Sequence, residues 1–490
     1  MKLVKKILIL IISLFFWLSL SKEAWAWTNG DAGIQKIHQT TIPQINSSGK
    51  IQNSWTSDSF FPLGLYWYDS RYLQQIKDAG FNFVWEGDWS PTPRGLSGLN
   101  QYGIKVTPHL RWYITESIKQ NNWNILANYI NSIKNDPAVL AWYLTDEGYP
   151  ASNLTTSQWI DGYNHLKALD PNRAVMGEIA VHCGTSPRVP FKVDMTNFYS
   201  YNIMRGLDSL YCVGLVLDGQ FKANSPLPLF VILQVFKGDA WPVMPTPEQV
   251  SGQMFTAIAH GATGVWLFVG FPPTGVLNGP GTGLWPGTPQ WNAASVANHQ
   301  IESNKKVFLA KTSTDEYHLA FNRGGQVCVP LSNPWCDGCG SPANCHDFDG
   351  DINACANHHG CGEDFGRCSG TWCQADCSTR GADCANISGC VWHATACSES
   401  SASPLHTILK DTGEAGVRYL LAVNLDASIL EGQFTFTQKI TKVTSVFDGR
   451  FITPTNMVFT DNFSGYGYRL YKIECNGGGK PESMRIRNRL

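Results

Sequence analysis

Two adjacent carboxylates, Asp146 and Glu147, follow a short apolar run at residues 139–144. The run is rich in aromatic and branched residues, which favours a buried strand over a helix. Asp136-Pro137 marks a turn just before it. Acidic residues at the carboxyl end of a buried strand occupy the position in which a (β/α)8 barrel keeps its chemistry. A strand that merely stops in a polar loop would look the same locally, so the rest of the chain has to decide.

Eight strand patterns alternate with helical patterns between residues 61 and 309. The predicted strands are 61–67, 81–85, 104–110, 138–145, 174–179, 195–201, 227–236 and 263–269. The predicted helices are 71–79, a short one before residue 104, 123–134, 157–169, 247–261 and 291–309. Eight strands that alternate with helical patterns over about 250 residues fit one (β/α)8 barrel. A doubly wound open sheet is the alternative, but no G-x-G-x-x-G follows the first strand, which counts against a dinucleotide-binding version.

The pattern changes after residue 312 to short alternating strands separated by turn residues. These strands are predicted at 317–321, 419–424, 432–436, 443–447 and 468–473, and they indicate an antiparallel β-sandwich. The fold class is therefore α/β, a (β/α)8 barrel followed by a β-sandwich that carries a disulfide-rich insertion. The predicted domains are a signal peptide (1–26), an N-terminal extension (27–57), the barrel (58–311), the sandwich (312–327 and 398–476), the insertion (328–397) and a disordered basic tail (477–490).

The insertion holds most of the cysteines of the chain. Of the 15 cysteines, twelve fall between Cys328 and Cys397. Residues 355–368 repeat the cysteine spacing of residues 384–397, which predicts two small disulfide-stapled units. We expect no cofactor, although a zinc site built on the C-x-x-C at 336–339 is an alternative. A structural calcium is another, because Asp347, Asp349 and Asp351 resemble the start of a calcium loop, without the glutamate of loop position 12.

The first 26 residues have the three parts of a secretory signal. Lys2, Lys5 and Lys6 precede an apolar run at 7–20, and Ala24-Trp25-Ala26 forms an A-x-A cleavage site. We therefore expect a secreted, periplasmic or cell-surface protein that no longer contacts the membrane after cleavage; an uncleaved anchor is the alternative. The net charge of -2 gives no indication of nucleic acid as a partner. We expect the mature protein to be a monomer.

Several side chains that bind sugars or move protons fall at predicted strand ends. Because strand ends converge at one mouth of a barrel, carboxylates would meet there in a cleft lined by Trp67, Trp85, Trp89, Trp112 and Trp142. Carboxylates facing aromatic walls suit glycoside hydrolysis, in which one acid protonates the leaving oxygen and a second carboxylate attacks carbon or activates water. The candidate substrate-binding residues are Trp67, Glu86, His109, Arg111, Tyr199, Tyr201, Gln234 and Trp266.

Three segments of the predicted barrel, 61–67, 140–147 and 259–266, resemble the large clan of retaining (β/α)8 glycoside hydrolases, which includes cellulase-like and β-galactosidase-like families. The resemblance covers about half the chain. It implies that Glu147, at the end of strand four, is the catalytic acid/base, with Asp146 in place of the usual asparagine. It also implies an accessory domain in the trailing β-sandwich.

The chain departs from that clan at strand seven, where the clan has its nucleophilic glutamate and this sequence has Gln234. Three hypotheses follow. Another carboxylate substitutes, with Glu178, Glu86 and Asp88 as candidates. The enzyme inverts by activating water with a more distant carboxylate. Or the barrel is a catalytically inactive carbohydrate-binding or surface-interaction protein.

The sequence therefore predicts a secreted glycoside hydrolase. Its candidate catalytic residues are Glu147, Glu178 and Asp146. We expect aromatic surroundings to raise the pKa of a catalytic acid such as Glu147. The inactive carbohydrate-binding protein is kept as the alternative.

Overall fold

A computed structural model provides the structure of the chain. It describes residues 60–86, 96–145, 154–180, 192–201, 210–224, 227–238, 243–270, 283–313 and 404–475, with short strands at Pro43–Ile45, Ile51–Asn53, Tyr317–Arg323 and within 336–392. The described residues fall into two compact units. The first lies within Met1–Met204, Asp208–Asn322 and Ser403–Leu490, and the second lies mainly within Arg323–Ala402.

Eight parallel strands form the central sheet of the first unit. They are β1 Leu63–Tyr66, β2 Phe83–Glu86, β3 Lys105–Pro108, β4 Trp142–Tyr143, β5 Val175–Ala180, β6 Met195–Ser200, β7 Leu229–Gln234 and β8 Gly264–Phe268. Their order in the sheet is β3-β2-β1-β8-β7-β6-β5-β4. Parallel bridges from Val106 to Val139 and from His109 to Tyr143 join the two outer strands. The sheet is therefore rolled into a barrel, as the sequence predicts.

Helices surround the strands. They are α1 Leu73–Asp78, α2 Leu96–Tyr102, α3 Arg111–Lys119, α4 Asn124–Ile133, α5 Thr156–Leu169, α6 Tyr211–Asn224, α7 Pro247–Ala259, α8 Pro289–Ser303 and α9 Lys305–Phe308. A capping box of Thr246 and Gln249 begins α7, with Pro247 at the first helical position. The sequence analysis did not predict α3 and α6. Arg111, expected beyond a strand end, is the first residue of α3.

Side chains alternate between the barrel interior and the helical layer. On β7, Phe230 and Ile232 belong to the interior cluster, whereas Leu229, Val231 and Leu233 pack against the helices. The interior is filled mainly by aromatic residues, so two strands carry glycine where rings pass closest. A Cβ on Gly64 would lie 2.5 Å from Trp266 Cδ1, and one on Gly264 would lie 2.1 Å from Phe230 Cδ1. The barrel is a packed core rather than a pore.

Two antiparallel sheets follow the barrel. Their strands are β9 Lys311–Thr312, β10 Tyr317–Arg323, β11 Leu405–Asp411, β12 Val417–Asn424, β13 Leu430–Phe436, β14 Ile440–Ser445, β15 Phe451–Ile452, β16 Val458–Phe463 and β17 Tyr468–Cys475. One sheet has the order β9-β11-β12-β17-β14-β15 and the other β10-β13-β16. Residues from both sheets, including Leu420, Phe434 and Phe459, share one apolar core. The predicted α/β fold, a (β/α)8 barrel with an antiparallel β-sandwich, is confirmed, although β9, β11, β15 and β16 were not predicted.

The barrel and the sandwich are joined through buried polar contacts. The His260 ring, at the end of α7, lies 2.9 Å from Asp218 Oδ1 through Nδ1 and 2.6 Å from His406 Nδ1 through Nε2. If His260 Nδ1–H donates to Asp218, its Nε2 accepts from His406 Nδ1–H. This chain of contacts links α6 and α7 of the barrel with β11 of the sandwich.

The second unit is described only at four short strands. Cys336–Asp337 pairs with Val391–Trp392, and Gly362–Asp364 pairs with Arg367–Ser369, both antiparallel. Apart from these strands, the predicted disulfide-stapled repeats lie outside the described residues. The candidate calcium residues Asp347, Asp349 and Asp351, the predicted signal peptide and the basic tail lie outside them as well. Within the described ranges no helix is long and apolar enough to cross a membrane.

Lys410 on β11 carries a buried charge, which makes the stability of the protein depend on pH. Its ammonium group is buried and donates to the Ala310 carbonyl at 3.1 Å. Burial lowers the pKa of Lys410 from 10.5 to about 8. Because the unfolded chain binds the proton more tightly, the resulting cost of about 3 kcal/mol is fully present below pH 8 and is lost as the pH rises towards 10.5.

We therefore expect Lys410→Met to raise the free energy of unfolding by up to about 3 kcal/mol at pH 7. The gain should shrink by about half at pH 9.5, because the wild-type lysine is then largely neutral in the folded protein. Urea denaturation at both pH values measures it. Lys311→Met, at an exposed position on the neighbouring strand, is the matched control and should change stability little at either pH. A gain that does not depend on pH would contradict this account of Lys410.

Candidate active site

The carboxyl ends of β3 to β6 bring a group of polar side chains into the barrel interior. Glu178 on β5 is 1% exposed and lies directly opposite Asn197 on β6 in the strand register. Tyr143 on β4 and His109 after β3 face the same interior. Since this end of a barrel carries the catalytic groups of its enzymes, the cluster is the candidate active site.

The Glu178 carboxylate accepts two hydrogen bonds on a single oxygen atom. The Tyr143 hydroxyl donates to Oε2, and the Asn197 amide donates to the same oxygen at 2.9 Å. The Asn197 amide nitrogen also lies 3.4 Å from the Tyr143 hydroxyl oxygen. Donors of this kind favour the ionised form of a carboxylate. The three side chains therefore form a buried network with a carboxylate at its centre.

Aromatic rings hold Tyr143 from several sides. His109 lies 5.1 Å from its ring centre, Trp85 5.9 Å and Trp266 5.8 Å, and the Trp85 contact is edge-to-face. Trp85 is itself stacked on Tyr66 at 3.8 Å. The position of the Tyr143 hydroxyl is therefore fixed by packing as well as by hydrogen bonding.

A wall of partly exposed aromatic residues lies on β6, on β8 and at the end of β1. Tyr199 and Tyr201 are stacked with ring centres 4.7 Å apart, and Tyr201 lies 5.3 Å from Phe268. Phe268 also contacts Trp67 at 5.8 Å. Trp67 has a left-handed backbone with φ of 59°, which is uncommon for a bulky residue and is often associated with functional sites. The wall offers ring faces beside the polar cluster.

Trp266, a predicted sugar platform, is fully buried in the barrel interior. It packs against Phe83 with ring centres 4.9 Å apart and crosses above Gly64. Within the described part of the chain, the indole nitrogens of Trp266 and Trp85 have no hydrogen-bond partner. Phe268, two residues further along β8, has the same inward direction and is partly exposed, but the sequence analysis did not consider it.

Gln234 faces the barrel interior at the end of β7 and is fully buried. Its amide donates to the backbone carbonyls of Phe236 at 3.2 Å and Val243 at 3.4 Å. The backbone carbonyl of Gln234 accepts a hydrogen bond from the side-chain amide of Gln253 on α7 at 3.1 Å. These contacts brace the loop after β7, which an amide can do without carrying a charge.

Some predicted site residues cannot be described at side-chain level. Asp146 and Glu147 lie outside the described residues, which end at Thr145 in this segment. Glu86 is the last residue of β2, and its side chain is likewise not described. Arg111 begins α3 at the same end of the barrel as His109. Tyr143 was not among the predicted site residues, although its alternation with Thr145 indicates the inward face.

Trp142, expected to line the cleft, faces the helical layer instead. Its indole nitrogen donates to Asp170 at 3.3 Å, and the Arg173 guanidinium lies 4.8 Å from its ring centre. Asp170 and Arg173 form a buried ion pair at 2.7 Å, and Arg173 also donates to the Lys134 carbonyl at 2.7 Å. Burial lowers the pKa of Arg173 to about 10, while Asp170 acts in the opposite direction. The pair thus anchors β4 from outside the barrel.

No cluster of metal ligands is present where the structure describes the chain. Among those residues there is no group of three or more His, Cys, Asp or Glu side chains that could hold a metal ion.

Comparisons with solved structures identify the type of fold. No protein-family model matches the chain. No curated protein matches its sequence. A family 42 β-galactosidase from G. stearothermophilus is similar in structure, with 10% sequence identity, coverage of 89% of this chain and 100% of the other, and a TM-score of 0.50. A family 5 glycoside hydrolase from Bacteroides vulgatus aligns with 12% identity over 90% of this chain and 96% of the other, with a TM-score of 0.45.

The chain thus has a glycosidase-like fold, with a (β/α)8 barrel like that of the family 42 β-galactosidase. Identities of this size show the fold alone. The activity has to be argued from the side chains of the candidate site.

Replacing Arg173 tests the external anchor of β4. Arg173→Leu leaves the buried Asp170 without its cation, so we expect the free energy of unfolding to fall by about 3–5 kcal/mol. Urea denaturation measures the change. Arg71→Leu, which breaks the exposed contact with Asp69, is the control and should leave the midpoint unchanged. Equal midpoints for wild type and Arg173→Leu would show that the buried pair does not stabilise the barrel.

Proposed function

We propose that the protein is a secreted glycoside hydrolase that cleaves glycosidic bonds of a poly- or oligosaccharide by carboxylate acid/base catalysis. One observation carries the proposal. The Glu178 carboxylate is held by Tyr143 and Asn197 at the carboxyl end of a barrel strand, beside a wall of aromatic rings. A fixed carboxylate next to faces on which sugar rings can stack is the equipment that glycoside hydrolysis requires.

In this proposal the two carboxylates divide the reaction between them. Glu147, at the end of the strand that carries Tyr143, protonates the leaving oxygen, and Asp146 orients it. Glu178, on the neighbouring strand, is the second carboxylate and either attacks the anomeric carbon or activates water. Gln234 has neither role, since an amide is a poor nucleophile and cannot act as a base. The anomer that is released distinguishes attack from water activation.

The substrate would be held by stacking and by hydrogen bonds. Tyr199, Tyr201 and Trp67 present ring faces, and we add Phe268 because it joins their wall. His109, Arg111 and Glu86 supply polar groups at the ends of β3 and β2. Trp266 has no exposed ring face on which a sugar could stack, because it is fully buried.

Single substitutions of the two glutamates test the assignment. In Glu178→Gln the amide oxygen can accept both hydrogen bonds now made to Oε2, so the charge is lost while these bonds are kept. We expect Glu178→Gln and Glu147→Gln each to lower kcat by about 10²–10⁴-fold without unfolding the protein. The assay is hydrolysis of aryl glycosides and of plant, algal and bacterial polysaccharides by the chain that begins at Trp27. Glu116→Gln on α3 is the control and should keep full activity.

The outcomes separate the two assignments. Full activity in Glu178→Gln would remove Glu178 from the mechanism, and full activity in Glu147→Gln would remove the proposed acid. Circular dichroism and the denaturation midpoint of each variant exclude loss of the fold as the cause of lost turnover.

The second candidate function is a carbohydrate-binding protein on an inactive barrel. Gln234 favours it, because the position of the clan nucleophile carries an amide that is committed to loop carbonyls. Sugar binding by wild type and both variants, with no hydrolysis of any substrate, would support this function. The aromatic wall would then be the binding surface.

We also propose properties that follow from the sequence. The signal at residues 1–26 directs the protein to a secreted, periplasmic or cell-surface location, and the mature chain is a monomer that binds neither nucleic acid nor membrane. Catalysis needs no cofactor. Calcium near Asp347, Asp349 and Asp351 would have a structural role in the insertion.

A further inference from the structure

We propose that Tyr143 is a positioning residue that orients and keeps ionised the Glu178 carboxylate, together with Asn197. This inference rests on the proposed hydrolase function, since it assigns how the second carboxylate of that reaction is controlled. Tyr143 would act through Glu178, because its hydroxyl bonds the Glu178 carboxylate and its ring packs against His109, Trp85 and Trp266.

The hydrogen bonds around Glu178 converge on one carboxylate oxygen. An amide NH2 can only donate, so Glu178 Oε2 accepts from Asn197, and the Tyr143 hydroxyl donates to the same oxygen. The hydroxyl oxygen remains able to accept, and the Asn197 amide lies 3.4 Å from it while also donating to Oε2 at 2.9 Å. Asn197, Tyr143 and Glu178 thus form a closed triangle in which donors converge on one carboxylate oxygen. Two donors on one atom fix the rotation of the carboxyl group.

Packing and strand pairing hold both donors in place. Tyr143 cannot swing away, because its ring is enclosed by His109, Trp85 and Trp266. Asn197 lies opposite Glu178 in the pairing of β5 and β6. A pre-arranged donor strengthens in a low-dielectric interior and requires no reorganisation during the reaction.

The position of Tyr143 along the chain connects the two strands that lead to Glu147 and carry Glu178. Tyr143 lies on β4, which leads to Glu147, and its hydroxyl reaches Glu178 on β5. The backbone joins the same strands, since Leu144 N–H donates to the Met176 carbonyl at 2.8 Å and Glu178 N–H to that of Thr145 at 3.3 Å. Tyr143 therefore adds a side-chain connection between the strands of the two proposed catalytic carboxylates, whose separation decides the stereochemical outcome.

The test compares the pH dependence of kcat/KM in Tyr143→Phe, Asn197→Ala and wild type. Removal of either donor destabilises the ionised carboxylate, so we expect the acid limb to move to higher pH by about one to two units in each variant. We expect kcat to fall more than KM rises, because the hydrogen bond that is removed is made to Glu178 and not to the substrate.

Tyr471→Phe is the matched control. Its hydroxyl donates to the Asp461 carboxylate at 2.8 Å within the sandwich core, so the substitution removes the same kind of buried bond far from the site. We expect it to lower stability and leave the pH profile unchanged. An acid limb that moves equally in both tyrosine variants would mean that the shift reports lost stability, which would overturn the proposal.

A second readout does not need activity. In protein with ¹³C-labelled glutamate carboxyl groups, the Glu178 signal is the one that disappears in Glu178→Gln. We expect its titration midpoint to rise in Tyr143→Phe and to stay unchanged in Tyr471→Phe. An unchanged midpoint in Tyr143→Phe would overturn the positioning role.

The two readouts separate this inference from the hydrolase itself. If wild type hydrolyses nothing, or if Glu178→Gln stays fully active, the proposed function of Glu178 fails, and the carboxyl titration alone decides whether Tyr143 controls it. If wild type is active and neither the acid limb nor the titration moves in Tyr143→Phe, the positioning role fails while the hydrolase stands.

Discussion

Burying a carboxylate in a protein interior removes its hydration, which costs several kcal/mol unless hydrogen-bond donors replace the lost water. Glu178 is 1% exposed, and its Oε2 receives the Tyr143 hydroxyl and the Asn197 amide. Those donors lie on β4 and β6, the two strands that flank β5, and their side chains must point into the barrel at the level of Glu178. The register depends in turn on the packing of the barrel, so the candidate site and the core of the fold are parts of one arrangement.

The aromatic filling of the barrel interior makes that arrangement rigid. Side chains in a close-packed core can move little without disturbing their neighbours. Trp266 lies over Gly64, and Trp85 is stacked on Tyr66, so the rings around Tyr143 are themselves held. On the other side of β4, the Asp170–Arg173 pair fixes the strand through Trp142. The strand that leads to Glu147 is thus held from both faces.

The sequence predicted the strands of the barrel well, because buried parallel strands leave continuous apolar runs between helical patterns. It placed Glu178 at a strand end for the same reason. It did not distinguish Trp142 from Tyr143, since both are aromatic neighbours and a shift of one residue exchanges the inner and outer faces. It missed β11 and β16 because His406, Lys410 and Asp461 interrupt their apolar pattern. His406 contacts His260, Lys410 donates to the Ala310 carbonyl, and Arg450 donates to Asp461. The sequence alone does not show that these partners meet.

Helix α7 is buried between the barrel and the sandwich, which limits how either domain can be lost or replaced. All its residues from Gln249 to Ala259 are buried, because the helix contacts α6, α8 and β7 on the barrel side and β11 and β12 on the sandwich side. A barrel helix ordinarily keeps one polar face for solvent. Loss of the sandwich would uncover residues that are now buried, among them Phe255, which stacks on Tyr468 at 3.9 Å, and exposed apolar surface invites aggregation. The two domains are therefore expected to be inherited, exchanged and lost together.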